Sequence, residues 1–165
     1  MKYLAKLTIV LLLTAGLTAC SDFLTPDTPQ NKPIESIETV QDLEGLMTGA
    51  YSRLGQVELY GRDYVVLGDA RTGNAWSNGN SGRFINSSMF QIFPTGSIGI
   101  WDAAYEVASN ANIVINSDVE PQDSTEVAAL NQVKGEAYAV RALSHMIVLK
   151  MYGQQFVDGS DLGIP

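Results

Sequence analysis

Apolar residues recur at three- and four-residue steps in three stretches, and each predicts an amphipathic helix. The first starts at Thr39, with Asp42 three residues on as in a capping box. Its stripe is Leu43, Leu46, Met47, Ala50, Tyr51 and Leu54, narrow and one-sided, with Gly55 ending it. The second, from Ile98 to Val119, carries Trp101, Ala104, Tyr105, Ala108, Ala111, Asn112 and Ile115 on one side, and Ser97 or Gly99 begins it. Ala104, Ala108 and Ala111 permit close helix–helix approach. The third is the longest, Ser124 to Gly153, and the rest of the chain is organised around it. Ser124 is expected to cap it, Glu126 lies in its first turn and Lys150 in its last, and Gly153 reads as a left-handed stop. Its stripe reads Val127, Leu130, Val133, Ala137, Tyr138, Ala142, Met146, Leu149 and Tyr152. Gly135 costs about 0.8–1.0 kcal/mol relative to Ala there, which implies that another backbone comes close.

Between the first two helices the periodicity fails. Gly61 to Gly99 is rich in Gly, Asn and Ser. Tyr64–Leu67 is a short strand or a turn of helix, and Gly73–Gly82 is loop on composition. This loop carries the candidate chemistry. Trp76 stands among Asn74, Asn78 and Asn80, with Asp69 and Arg71 just before it. An exposed indole stacks on the apolar face of a sugar, and amides with a charged pair satisfy its hydroxyls. The competing arrangement folds Trp76 into the core and pairs Asp69 with Arg71.

The N-terminus adds an address. Lys2 and Lys6 precede the apolar run Leu7–Leu13, so residues 1–19 read as a secretory signal peptide. Leu17-Thr18-Ala19-Cys20 resembles a bacterial lipobox, which makes Cys20 the lipidated N-terminus. Acyl chains contribute about 0.8 kcal/mol per buried methylene, so several anchor firmly. Residues 20–38, with Pro26, Pro29 and Pro33, form an extended tether, and Asp22 resembles an export signal for outward-facing display. Residues 39–165 hold the helical domain.

Charge and cysteine count narrow the chemistry. Of 10 basic residues Lys2 and Lys6 leave with the leader, so 8 face 18 acidic ones, a net −10. That excludes nucleic acid as a partner class, because its affinity needs phosphate neutralisation. One Cys and one His exclude an intrachain disulfide and a Cys-rich zinc site. His145 reads as packed or half-exposed, and Glu136 and Arg141, five apart, each read as reaching a neighbouring helix or loop in an ion pair. A glycosidase needs two carboxylates at a set separation, and Asp63, Asp69, Asp102 and Glu106 stand in no such motif. No cofactor is expected; oxygen ligands for calcium are plentiful.

Two motifs then suggest a family. They are Trp101-x3-Tyr105-x6-Asn112, and Gly135-Glu136-Ala137-x3-Arg141-Ala142 followed by Tyr152-Gly153 and Gly163-Ile164-Pro165. With the lipobox and tether they resemble the N-terminal part of the SusD/RagB family of outer-membrane lipoproteins. The resemblance implies an all-α fold of tetratricopeptide-like helical repeats with a long irregular loop region. It also implies a non-enzymatic role: binding oligosaccharides, sometimes peptides, and passing them to a SusC-type TonB-dependent transporter. The early-loop ligand residues it implies are Asp69, Arg71, Trp76, Asn78 and Asn80. Family members are about three times this length, as several packed repeats demand, so the chain is expected to be an incomplete, front portion. A docking module that contacts the transporter without binding ligand is the alternative.

Overall fold

The first predicted helix forms where the capping chemistry places it. In the computed structural model α1 spans Val40–Leu54. Thr39 Oγ1 accepts from the Asp42 N–H at 3.2 Å, and Asp42 Oδ2 accepts from the Thr39 N–H at 3.1 Å. The two side chains thereby bond each other's backbone N–H groups, the reciprocal arrangement of a capping box. The structure describes residues 36–91 and 99–153, so the signal peptide, Cys20 and nearly all of the tether lie outside the described residues. The described residues from Ile37 onward belong to one compact unit.

Among the described residues four more helices follow: α2 at Asp63–Thr72, α3 at Ile85–Ser88, α4 at Ile100–Ile115 and α5 at Ser124–Tyr152. Among the described residues there is no strand, so the fold is all-α. Tyr64–Leu67 belongs to α2. That helix opens with no side-chain cap and closes on Gly73, whose φ of 81° needs a residue without a Cβ. The second long helix is shorter than the expected Ile98–Val119. It opens at Gly99, and Ile98 lies outside the described residues.

α4 is the centre of the packing. It lies against both α1 and α5, and α1 also touches α5. Ala103, Ala104, Ala108 and Ala111 are all buried on it, as the small-residue pattern required. Short side chains bring helix axes toward the near end of the usual 8–10 Å. α1 contributes Leu43, Met47, Ala50 and Leu54 to the same core. Leu59 and Leu67 close it from the side of α2.

α5 departs from the expected stripe. Its buried residues are Val133, Ala137, Val140, Ser144, Ile147 and Val148. Val127, Tyr138, Met146, Leu149 and Tyr152 are exposed instead. Both sets obey three- and four-residue steps, so periodicity alone cannot choose between them. The contact with α4 chooses. Gly135 falls on the outer side, and a Cβ added there meets nothing within 4 Å, so no backbone approaches it. Asp123 rather than Ser124 is the cap, its Oδ1 accepting from the N–H groups of Thr125 at 2.8 Å and Glu126 at 2.9 Å. Gly153 is extended, at φ −66° and ψ 147°, not left-handed. Glycine is still required there, because a Cβ would sit 2.5 Å from the Leu149 carbonyl oxygen.

Candidate functional site

The loop after α2 is held by its own short polar side chains. The Ala75 N–H donates to the Asp69 carbonyl at 3.2 Å, turning the chain back over the end of the helix. Ser77 Oγ donates to the Arg83 carbonyl at 2.8 Å and so pins the two ends of the following turn. Asn78 Oδ1 accepts from the Asn80 N–H at 3.1 Å, an Asx turn. Asn78 thus spends its carbonyl on the backbone and keeps its amide donors outward.

Trp76 is 75% exposed beside this turn. It does not fold into the core. Nor do Asp69 and Arg71 form an ion pair among the described residues. Asp69, Asn78 and Asn80 are exposed with it. The loop therefore leaves an aromatic ring open to solvent, with the exposed Asp69, Asn78 and Asn80 near it in the chain. That arrangement can stack on an apolar face and hydrogen-bond at its edges.

Arg71 is placed differently. It is half-buried, and its Nε has no hydrogen-bond partner. Its charge acts on the Tyr152 phenol at the end of α5. Burial raises that phenol's pKa above its ordinary value; a backbone hydrogen bond from Trp101 and the Arg71 charge oppose the rise. Arg71 is thus linked to an aromatic group that the candidate set did not include. Trp101 lies 4.9 Å from Tyr105 and 5.3 Å, edge-on, from Tyr152 between ring centroids. His145 stands edge-on to Tyr105 at 6.0 Å, half-buried on α5. The available signal was the Trp101-x3-Tyr105 spacing, which puts both rings on one helix face.

The residues of the two sequence motifs meet across α4 and α5. Arg141 Nη1 donates to Asn112 Oδ1 at 3.0 Å, and its guanidinium carbon lies 5.2 Å from the centre of the Tyr138 ring. Glu136 accepts from Tyr51 Oη at 3.3 Å and from Gln132 Nε2 at 3.0 Å. Both residues do reach neighbouring helices, but through neutral hydrogen-bond partners rather than ion pairs. Tyr51, Glu136, Glu44 and Gln132 line an open recess of about 200 Å³ between α1 and α5. It is smaller than the ~300–1,000 Å³ of usual ligand pockets and is lined by none of the loop residues.

Two of the four carboxylates considered for glycoside hydrolysis, Asp63 and Glu106, have structural partners. Asp63 is buried with its Oδ1 2.6 Å from Arg62 Nε. Glu106 binds Arg53 Nε at 2.6 Å. Among the described residues no group of three His, Cys, Asp or Glu side chains is placed to hold a metal ion. No described helix is long and apolar enough to cross a membrane. No protein-family model, curated protein or solved structure matches the chain.

Proposed function

We propose that this chain is a SusD-like, lipid-anchored outer-membrane protein that binds oligosaccharide and passes it to a SusC-type TonB-dependent transporter. The observation that carries the reading is Trp76, 75% exposed on a loop whose Asn78 and Asn80 are exposed as well. A large aromatic ring left in water on a self-braced loop has its apolar area still to cover. Sugar rings cover such faces while their hydroxyls reach the flanking amides and Asp69. Arg71 supports the site from its half-buried position. The lipobox at Cys20 supplies the membrane anchor, and the role is non-catalytic. The helices are read as tetratricopeptide-like pairs, with α4 and α5 as one such pair.

Titrating the chain with an oligosaccharide panel while following tryptophan fluorescence tests the site. Trp76→Ala is expected to weaken binding of any sugar that binds by tenfold or more, about 1.4 kcal/mol. Undiminished binding by the variant would remove Trp76 from the site. The second reading is a docking module, and the uncovered apolar face of α5 favours it. Retention of a transporter without retention of sugar is its signature.

A further inference from the structure

The long helix is apolar on two sides. Its inner side packs on α4 and α1. Its outer side carries Val127, Tyr138, Met146 and Leu149, which are 45%, 53%, 47% and 48% exposed. Gly135 and Ala142 lie between them, also exposed. The positions follow steps of three and four, so they form one line along the helix. At 1.5 Å per residue the line runs for roughly 33 Å. Bulky and small residues alternate on it, which is the relief another helix fits, side chains entering the gaps at Gly135 and Ala142.

Charge sorts the possible occupants. The two acids of α5 are directed elsewhere: Glu126 accepts from the Gln122 N–H at 2.7 Å and Glu136 from the Tyr51 hydroxyl at 3.3 Å. The outer line therefore has no carboxylate. Lys134 and Arg141 flank it, and Lys150 stands at its far end. None of the three pairs with a carboxylate among the described residues. Lys134 Nζ donates to the Ser117 carbonyl at 3.1 Å and Arg141 to Asn112 Oδ1, so both cations are fixed at the edge by neutral partners. This is a positive rim on a chain whose formal charge is −8.

We propose that the outer face of α5 docks an amphipathic helix whose apolar stripe is flanked by carboxylates. Carboxylates would meet Lys134, Arg141 and Lys150, while the stripe covers Tyr138, Met146 and Leu149. A second copy of this chain is the poorer occupant, because its own α5 would bring the same cations against these. The proposal rests on the exposure and charge of α5 and is independent of the glycan reading.

The test uses the full chain in detergent and two labelled synthetic helices, each about six turns long. Both carry the same Leu/Ala stripe; one is flanked by Glu, the other by Lys. Fluorescence anisotropy is expected to show the Glu-flanked helix binding at least tenfold tighter, with the advantage shrinking in high salt. Met146→Asp and Gly135→Leu, both at open positions, are each expected to lower that affinity at least tenfold while circular dichroism stays unchanged. Equal binding of the two helices, or binding that survives both substitutions, overturns the proposal. So does a dimer, seen by light scattering, that Met146→Asp dissolves, or capture by anionic vesicles that Met146→Asp abolishes while neither helix binds.

Discussion

Arg141 shows how one side chain ties two helices. Its guanidinium rests over Tyr138 on its own helix and donates across to Asn112 on α4. A hydrogen bond to a charged group contributes roughly 1.5–3 kcal/mol when partly buried. Arg141→Met and Asn112→Ala are each expected to destabilise the chain by about that much, and the double variant by less than the sum. Urea unfolding of the four proteins reads the coupling; strictly additive losses would mean that the bond contributes nothing. The pairing of Asn112 with Arg141 joins the two motifs on which the family resemblance rests. Trp76 makes the contrasting case. Its surroundings are water, so Trp76→Ala is expected to leave unfolding within about 0.5 kcal/mol of the parent, and any effect on sugar binding is then a direct one.

At the scale of elements, α5 is instructive. Its ends were legible because capping is local chemistry: a carboxylate or hydroxyl before the first turn, a glycine after the last. The one-residue shift from Ser124 to Asp123 has a local cause, since the aspartate oxygen serves two N–H groups. Its buried face was not legible. Tyr138 and Met146 satisfy the helical period as well as Val140 and Ile147 do, and only the alanines of α4 decide which set is enclosed. α2 was illegible for another reason, since four apolar residues fit either period. Gly135 follows from the same facing. Because its Cβ position is open and its backbone helical, Gly135→Ala is expected to raise stability by about 0.4–1 kcal/mol through loss of unfolded-state freedom. A destabilised variant in thermal melts would show that something does approach that backbone.

For the whole molecule, one polar knot spans three segments. Arg53 on α1 donates to Glu106 on α4 at 2.6 Å and to Glu58 in the connecting turn at 2.7 Å. The guanidinium beside it, above all through that hydrogen bond, holds the Glu58 carboxyl below its ordinary pKa. A depressed carboxyl contributes stability that is complete above its unfolded value and is lost as pH falls through the folded one. The window therefore opens near the ordinary Glu value of about 4.3 and extends downward. Melting temperature is expected to fall on acidification through that range, and to fall less steeply in Arg53→Met. Parallel curves for the two proteins would exclude the knot as a source of acid sensitivity. The three long helices were readable because each repeats its apolar residues at three- and four-residue steps over several turns. The loop's outward presentation of Trp76 was not, because an indole is equally at home in a core, and burial depends on space left by residues far away in the chain.

The alanine surface of α4 also governs how this protein can vary. Ala103, Ala104 and Ala111 are fully enclosed, with a helix on either side. Adding even a methylene or two at such a position forces neighbours off their rotamers and typically costs about 1–3 kcal/mol. Enlargement there requires compensation on α1 or α5 at once, a double change that seldom arises together. The outer line of α5 has no such restraint from the fold. Mutational drift in this chain is thus channelled: its centre is frozen at the smallest side chains, and its freedom to diversify lies on the loop of Trp76 and the open side of the long helix.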